Sequence, residues 1–164
     1  MKYILLKGKM NAGKSETITS VCKNFDVNSC QRISLNAEGE LIIKNDSSEN
    51  FGNGTFIINV NGSNILIVAG APTEQKITIT IMLKFLAQIQ VEIAFAIISV
   101  RSREVLAGFD TANELNKLGH ECVLEEEVIR IDSDDYSVTT NWRDRVKRIV
   151  ELINQNVVKK LEIV

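Results

Sequence analysis

The sequence predicts a three-layer α/β/α fold, in which helices cover both faces of a mainly parallel β-sheet with an inserted antiparallel hairpin. Short apolar segments alternate with segments of helical periodicity, the order expected of parallel strands joined by helices. The glycine-rich residues 8–15 connect the first apolar segment to the first helical one. Asn61 and Gly62 separate two further apolar segments, and this dipeptide is the strongest short-range signal for a hairpin.

Each predicted strand is a short apolar or alternating segment bounded by turn residues. Residues 3–6 are too short for a buried helix and are followed by a glycine, which is typical of a central parallel strand. The other predicted strands are, in chain order, residues 32–35, 41–44, 56–60, 65–69, 93–100, 122–124 and 128–131. Residues 37–40 are predicted as a turn, and the polar residues 45–54 as a loop that is the best candidate for a mobile segment.

The predicted helices carry apolar side chains at helical spacing. They cover about residues 15–25, 75–90, 105–118 and 142–157. Thr111 and Glu114 have the spacing of a capping box, and Gly119 is expected to end the third helix. Asn141 is expected to cap the fourth.

The composition is that of one compact folded domain. The chain has 164 residues, of which 45% are hydrophobic and 24% are charged, with a single proline. A chain of this length buries close to about 70% of the surface that its unfolded form exposes, so residues 1–164 are expected to form one domain. The net charge of −2 lacks the basic excess of DNA-coating proteins, so nucleic-acid binding is not indicated.

The cysteines and the apolar segments favour a cytoplasmic protein. The three cysteines lack C-x-x-C spacing and are accompanied by one histidine, so neither a disulfide framework nor a zinc site is predicted. The glycine-rich segment begins at residue 8, which leaves no room before it for a signal segment. No stretch approaches the roughly 18 consecutive apolar residues of a membrane span, so no membrane partner is expected.

Residues 8–15 read Gly-Lys-Met-Asn-Ala-Gly-Lys-Ser, a pattern suited to binding the phosphates of a nucleoside triphosphate. Phosphates need many N–H donors in a small space without side chains in the way. Gly8 lets the chain leave its strand sharply, and Gly13 allows tight curvature before a helix whose first turn favours anions. The predicted nucleotide-binding residues are Gly8, Lys9, Asn11, Ala12, Gly13, Lys14, Ser15 and Glu16.

Two side chains of this segment, those of Lys14 and Ser15, are expected to act on the phosphates and on Mg²⁺. Lys14 is expected to reach the β- and γ-phosphates and to stabilise charge on the transferred phosphate, which makes it the predicted catalytic residue. The Ser15 hydroxyl is expected to ligate Mg²⁺. The predicted cofactors are therefore ATP or GTP, together with Mg²⁺. The sequence does not identify the base, because it has no Asn-Lys-x-Asp segment that would specify guanine and adenine recognition has no comparable signature, so ATP is taken as the default.

In these residues and the flanking strand and helix, the sequence resembles the P-loop NTPase superfamily. The resemblance implies nucleotide binding with Mg²⁺, and often hydrolysis or phosphoryl transfer. Lys9 stands where partition and septum-placing ATPases carry a signature lysine, although those proteins have glycines where this chain has Met10 and Asn11. The loop also resembles that of tetrameric thymidine kinases, whose zinc-binding cysteines this chain lacks. In its order of elements, with Pro72 after the hairpin and Arg101 after a strand, the chain looks more like small, largely uncharacterised bacterial P-loop proteins.

The sequence departs from the pattern of P-loop enzymes in one respect. Such enzymes place an acidic residue at the end of a second apolar strand, where it holds Mg²⁺ through water or orients the attacking group. The natural strand here, residues 65–69, is followed by Gly70, Ala71 and Pro72. A substitute would have to come from elsewhere, although each acid on its own is more simply a surface charge. The candidates are Glu74, which is close in sequence, Asp26, which follows the first helix, and Glu38, Glu40 and Asp46, which lie in or near the turn and loop segments.

Further polar residues have two interpretations each. Arg101 and Arg103 follow the strand at residues 93–100, where they either contact a ligand or are exposed in a strand-to-helix turn. His120 follows a helix end, where a histidine commonly interacts with terminal carbonyls rather than acting in catalysis. Trp142 is predicted to be core. The basic cluster of the last helix is predicted to be a solvated face rather than a nucleic-acid site. That cluster comprises Arg143, Arg145, Lys147 and Arg148.

Three functions remain open at this stage. The first is a small NTPase or kinase-like phosphotransferase, which is favoured because Lys14 and Ser15 are both present. The second is a nucleotide-dependent binding module or switch in which occupancy orders residues 45–54. The third is a degenerate domain that keeps the fold for protein contacts. The predicted partner is a nucleoside triphosphate, and the sequence also leaves a homo-oligomer open.

Overall fold

The computed structural model describes residues 1–132 and 135–157. The single-domain prediction extends over residues 133–134 and 158–164, which lie outside the described residues. Within the described ranges the chain is an α/β protein with one mixed sheet. No described helix is long and apolar enough to cross a membrane.

The described strands form one seven-stranded sheet in the order β3-β2-β4-β5-β6-β1-β7. Their bounds are β1 (Lys2–Gly8), β2 (Val27–Leu35), β3 (Leu41–Asn45), β4 (Thr55–Val60), β5 (Ser63–Val68), β6 (Phe95–Arg101) and β7 (Glu121–Glu127). The predicted strand at 128–131 is wrong. The backbone N–H of Val128 still donates to the carbonyl of Lys7 at 2.6 Å, but the chain then leaves the sheet and Ile129 is exposed.

The sheet is mixed, which corrects the prediction of a mainly parallel sheet. Strands β5, β6, β1 and β7 run parallel, whereas β3, β2, β4 and β5 pair antiparallel. The predicted hairpin is confirmed as β4 and β5, which turn at Asn61 and Gly62 with φ of 52° and 85°. The sequence prediction went wrong because β2 and β3 also pair antiparallel, and they extend the hairpin into half of the sheet.

Helices pack on both faces of the sheet. The described helices are α1 (Lys14–Cys22), α2 (Pro72–Gln75), α3 (Ile79–Gln88), α4 (Thr111–Lys117) and α5 (Thr140–Asn156), with a short 3-10 helix at Tyr136–Val138. Ile4 of β1 lies in a core cluster with side chains of α1 and α5, whereas its neighbour Leu5 lies in a second cluster with side chains of α3 and α4. Successive strand residues point to opposite faces, so the two clusters lie on opposite sides of the sheet.

The helix predicted over residues 75–90 is interrupted. Lys76 adopts a left-handed conformation with φ of 57°, which ends α2. The Thr78 hydroxyl then accepts a hydrogen bond from the N–H of Ile81 and caps α3. The break places α2 as a separate turn directly after β5.

Two predicted caps also differ from the structure. The helix predicted over residues 105–118 begins only at Thr111, because Asp110 caps it by accepting from the N–H of Asn113. The predicted Thr111–Glu114 capping box is therefore wrong; the Glu114 carboxylate instead accepts from the N–H of Asp110. The last helix is capped by Thr139, not by Asn141, because the Thr139 hydroxyl accepts from the N–H of Trp142.

Candidate functional site

Residues 8–15, here called the glycine loop, connect the carboxyl end of β1 to the first turn of α1. A Cβ atom on Gly8 would lie 2.8 Å from the carbonyl oxygen of Val128, closer than real contacts allow. Gly13 has φ of 101° and Asn11 has φ of 60°, both in the left-handed region. The loop therefore needs glycine at position 8 for space and at position 13 for conformation.

The Lys14 side chain folds back over the glycine loop and is only 7% exposed. Its ammonium group donates to the carbonyl oxygen of Gly8 at 2.5 Å and to that of Lys9 at 3.2 Å. Burial lowers the pKa of Lys14; the nearby charge of Glu74 raises it and that of Arg101 lowers it. Two backbone carbonyl oxygens of the loop thus accept hydrogen bonds from the ammonium group, and the oxygens of an anion could replace them as acceptors.

A cleft of about 310 Å³ lies beside the glycine loop and is here called the phosphate cleft. Its lining comes from the loop, the start of α1 and the ends of other elements: Met10, Asn11, Ala12, Gly13, Lys14, Ser15, Glu16, Asn53, Ala69, Glu74 and Arg101. The Arg101 guanidinium and the Glu74 carboxylate form an ion pair at 2.6 Å, with 26% of each side chain exposed. A cation, a hydroxyl and an ion pair thus share one cleft with backbone N–H donors.

The parallel strands explain why these residues meet. Gly8 at the end of β1 is in register with Arg101 at the end of β6. Strand β5 runs parallel to β6 on its other side, and α2 follows β5 and carries Glu74. Carboxyl ends of parallel strands lie at the same edge of a sheet, which is where ligands of open α/β sheets bind.

The structure adds Asn53 to the cleft, which the sequence did not indicate. The carbonyl oxygen of Gly54 accepts from the N–H groups of Ala69 and Gly70, which ties the end of the 45–54 loop to the end of β5. A Cβ atom on Gly70 would lie 2.1 Å from the carbonyl oxygen of Asn53. Phe51 is buried against Phe56, so this end of the loop is anchored. The short distance between Asn53 and Gly70 results from tertiary contacts, which the sequence does not show. A glycine directly after a predicted strand, as Gly70 is, was the one local sign that another segment packs closely there.

Ser15 and Glu74 are residues of the phosphate cleft that could hold a magnesium ion together with phosphates. Mg²⁺ retains several waters and takes only one or two protein oxygens when phosphates supply the rest. Ser15 offers a hydroxyl and Glu74 a carboxylate, both in the phosphate cleft. Among the described residues, no group of three or more His, Cys, Asp or Glu side chains forms a protein-only metal site.

A second cleft of about 350 Å³ lies on the other side of the glycine loop and is here called the aromatic cleft. Its lining consists of Asn11, Ala12, Gly13, Glu16, Arg130, Ile131, Tyr136, Trp142 and Arg145. The rings of Tyr136 and Trp142 meet edge to face, with centroids 4.8 Å apart and an angle of 66° between the planes. Asn11, Ala12, Gly13 and Glu16 line both clefts, so the glycine loop and the start of α1 form a shared wall.

Arg145 is buried, which corrects its assignment to a solvated basic face. It is 6% exposed, and its guanidinium donates to the Thr17 hydroxyl and to the carbonyl of Ile129, each at 3.2 Å. The Thr17 hydroxyl in turn donates to the carbonyl of Gly13 at 2.7 Å. Burial lowers the pKa of Arg145, while the charge of Glu126 raises it and that of Arg148 lowers it. Arg145 lies three residues after Trp142, which is buried as predicted, and this helical spacing was the missed signal.

Several predicted polar residues lie away from the two clefts. The Lys9 side chain is exposed and lines neither, although its carbonyl supports Lys14. Arg103 is exposed, unlike Arg101. Arg143 and Lys147 are exposed, and Arg148 pairs with Glu126. Of the acids considered as substitutes, four line neither cleft: Asp26, Glu38, Glu40 and Asp46.

His120 lies at the opposite edge of the sheet from the glycine loop. Its Nδ1 atom is 3.1 Å from the amino group of Met1, the residue before β1. Burial lowers the pKa of His120, and the charge of the amino terminus lowers it further. His120 therefore contacts the amino terminus and lines neither cleft.

Comparison of the chain with known protein families, curated proteins and solved structures found no match. The function of the chain is therefore inferred from the geometry of the two clefts.

Proposed function

We propose that the chain binds a nucleoside triphosphate, ATP by default, with Mg²⁺ in the phosphate cleft, and hydrolyses it or transfers its terminal phosphoryl group. The observation that carries the proposal is the convergence of Lys14, Ser15, Glu74 and Arg101 on one cleft beside the glycine loop. Phosphoryl transfer is catalysed chiefly by positioning and by stabilising charge, and these residue types supply both.

The glycine loop accounts for recognition of the phosphates. The first N–H groups of α1 have no partner within the helix and favour an anion. Lys14 exchanges its bonds to the carbonyls of Gly8 and Lys9 for phosphate oxygens, which are stronger acceptors for an ammonium group. A bound Mg²⁺ would neutralise phosphate charge, with the Ser15 hydroxyl as its protein ligand.

Glu74 supplies the acidic group that the end of β5 lacks. It lies on α2, the helix that follows β5, and it lines the phosphate cleft. It is suited to orient an attacking water or hydroxyl, or to bind a water of Mg²⁺. Arg101 holds the carboxylate through the ion pair and brings a second positive charge to the cleft.

The fold is consistent with this function. The glycine loop lies between β1 and α1, and helices pack on both faces of the sheet. The three-layer arrangement of P-loop NTPases, with a sheet extended by antiparallel strands, is the fold we assign as part of this proposal. It is the loop sequence and the strand-loop-helix order that support the assignment.

Phosphate release tests the catalytic function. Wild-type protein is incubated with ATP or GTP, with and without Mg²⁺, beside Lys14→Ala and the matched control Lys9→Ala. We expect Mg²⁺-dependent release that falls by roughly 100-fold or more in Lys14→Ala and is nearly unchanged in Lys9→Ala, because the Lys9 side chain lines neither cleft. Equal turnover in Lys14→Ala would eliminate the proposed mechanism.

A nucleotide-dependent switch is a second function, and the position of Asn53 favours it. Asn53 joins the 45–54 loop to the phosphate cleft, so occupancy of the cleft can act directly on that loop. The switch predicts that ATP or GTP with Mg²⁺ slows proteolysis within residues 45–54 even if phosphate release is undetectable. Unchanged cleavage at saturating nucleotide would argue against it.

A further inference from the structure

We propose that the aromatic cleft binds the nucleobase of the nucleotide, with the base stacked on the ring of Tyr136. This inference rests on the proposed function, because it places the base relative to phosphates held in the phosphate cleft. It assigns a role to Arg130, Ile131 and Tyr136, which line the aromatic cleft and belong neither to the glycine loop nor to the Glu74–Arg101 pair.

The two clefts are neighbours, because the glycine loop and the start of α1 form a wall of both. Asn11, Gly13 and Glu16 face both, so a molecule whose phosphates lie against the loop on one side can extend over it to the other. The volumes of about 310 and 350 Å³ are each at the small end for a ligand site, and together they match a ligand with two chemically different ends.

The walls differ in the way that a nucleotide requires. The phosphate cleft is lined by charged, polar and small side chains and by Met10, and no aromatic residue is among those described for it. The aromatic cleft holds two rings. Flat bases stack on aromatic faces, whereas phosphates favour N–H donors and cations, so the base belongs in the aromatic cleft.

Tyr136 is the ring that remains accessible. It is 39% exposed, whereas Trp142 is buried and packs towards the loop, where a Cβ atom on Gly13 would lie 3.8 Å from its ring. Because the two rings meet edge to face, Trp142 supports Tyr136 without occupying all of its surface. The guanidinium carbon of Arg145 lies over the Trp142 ring, 5.7 Å from its centroid.

Polar groups at the rim of the cleft can read the edge of a base. Arg130 is a donor, with its guanidinium exposed and only loosely paired to Asp132 at 3.5 Å. Glu16 is an acceptor on the shared wall, exposed at the start of α1. A few polar groups around an apolar wall are the usual composition of a small-molecule site.

Comparing ATP with inorganic tripolyphosphate separates the base from the phosphates. Affinities of a non-hydrolysable ATP analogue and of tripolyphosphate, each with Mg²⁺, are measured for the wild type, Tyr136→Ala, Tyr136→Phe and Val138→Ala. Val138 is the matched control, because it is 56% exposed on the same 3-10 helix and lines neither cleft. Circular dichroism verifies that each variant is folded.

We expect Tyr136→Ala to weaken binding of the analogue by roughly 5- to 100-fold, the range for loss of one base–aromatic stack, while tripolyphosphate binding is unchanged. Tyr136→Phe keeps the ring and should restore most of the affinity, and Val138→Ala should resemble the wild type. The chain has one tryptophan, so Trp142 emission gives a second readout that the analogue changes more than tripolyphosphate does.

The outcomes separate this inference from the proposed function. If the wild type binds both ligands and Tyr136→Ala leaves both affinities unchanged, the aromatic cleft does not bind the base, although the phosphate site stands. If the wild type binds neither ligand, the proposed function fails and the base site fails with it. A loss of both affinities in Tyr136→Ala would mean that Tyr136 supports the glycine loop instead, which also overturns the inference.

Discussion

The parallel and the antiparallel halves of the sheet contribute very differently to the clefts. Strands β5, β6, β1 and β7 run parallel, and the residues at or after their carboxyl ends include Ala69, Glu74, Arg101, the glycine loop and Arg130. Strands β2, β3 and β4 pair antiparallel, and the loops between them bring only Asn53 to the phosphate cleft.

This difference follows from strand direction. Parallel neighbours end at the same edge, so each of their following loops can reach a common point. Antiparallel neighbours end at opposite edges, and their connections lie at alternate ends. We therefore expect the parallel half to carry the function and the antiparallel half to give structural support, with Gly70 and Asn53 where the two halves meet.

The largest effect is expected where the two halves meet. Gly70→Ala puts a Cβ atom 2.1 Å from the backbone oxygen of Asn53, so the end of the 45–54 loop must move away from β5. We expect a loss of about 3 kcal/mol in the free energy of unfolding, measured by urea denaturation. Gly62→Ala is the control: its φ of 85° is strained for alanine but nothing lies within 4 Å, so it should cost about 1 kcal/mol. Equal losses would show that the junction is not tightly packed.

The next effect tests whether catalysis belongs to the parallel half. Arg101→Met removes a charge from the phosphate cleft and releases Glu74, so we expect phosphate release to fall by roughly 100-fold. Arg103→Met, two residues away on an exposed position, should leave the rate unchanged. A similar loss in both variants would point to the turn after β6 rather than to the Arg101–Glu74 pair.

A smaller, pH-dependent effect contrasts the two edges of the parallel strands. Burial, and then the charge of the amino terminus, lower the pKa of His120 below its usual value of about 6.5. The unfolded state therefore binds a proton more readily than the folded state, and the free energy of unfolding falls as the pH drops through about 6.5. This contribution is fully present above that pH.

In urea denaturation, the free energy of unfolding of His120→Gln should fall less between pH 8 and acidic pH than that of the wild type. Binding of an ATP analogue at constant pH should be unaffected, because His120 lies at the opposite edge from the clefts. Loss of nucleotide binding in this variant would contradict the separation of the two edges.

The smallest effect is expected within the antiparallel half. Leu35, at the end of β2, is exposed and lines neither cleft. Leu35→Ser should change the free energy of unfolding by less than about 0.5 kcal/mol and should not change phosphate release. A clear loss of activity would mean that the antiparallel half takes a direct part in function.

The features that the sequence predicted are those encoded locally. The β4–β5 hairpin follows from the turn preference of Asn61 and Gly62, and the strand-loop-helix order around residues 8–15 follows from short-range pattern. The direction in which a strand pairs is not encoded within the strand itself. The residues of β2 do not indicate that it pairs antiparallel with both β3 and β4. The alternation of strands with helical segments predicts a mainly parallel sheet, and this prediction is wrong for β2, β3 and β4.

The site shows the same division. The sequence predicted the glycine loop as a unit, but it treated Glu74 as one of several equivalent acids. Only the adjacency of β5, β6 and β1 distinguishes it, by bringing it to Arg101. The positions of Asn53 and Arg145 at the clefts depend on contacts between residues far apart in the chain. Arg145 in α5, for example, donates a hydrogen bond to Thr17 in α1. Such contacts follow from the packing of the whole fold.

Calorimetric titration of the wild type and Lys14→Ala with a non-hydrolysable ATP analogue, with and without Mg²⁺, tests the central claim most directly. We expect Mg²⁺-dependent binding to the wild type that is lost in Lys14→Ala and retained in Lys9→Ala. Equal affinity of the wild type and Lys14→Ala, or no binding to the wild type of either the ATP or the GTP analogue, would contradict the assignment of the glycine loop as a phosphate site.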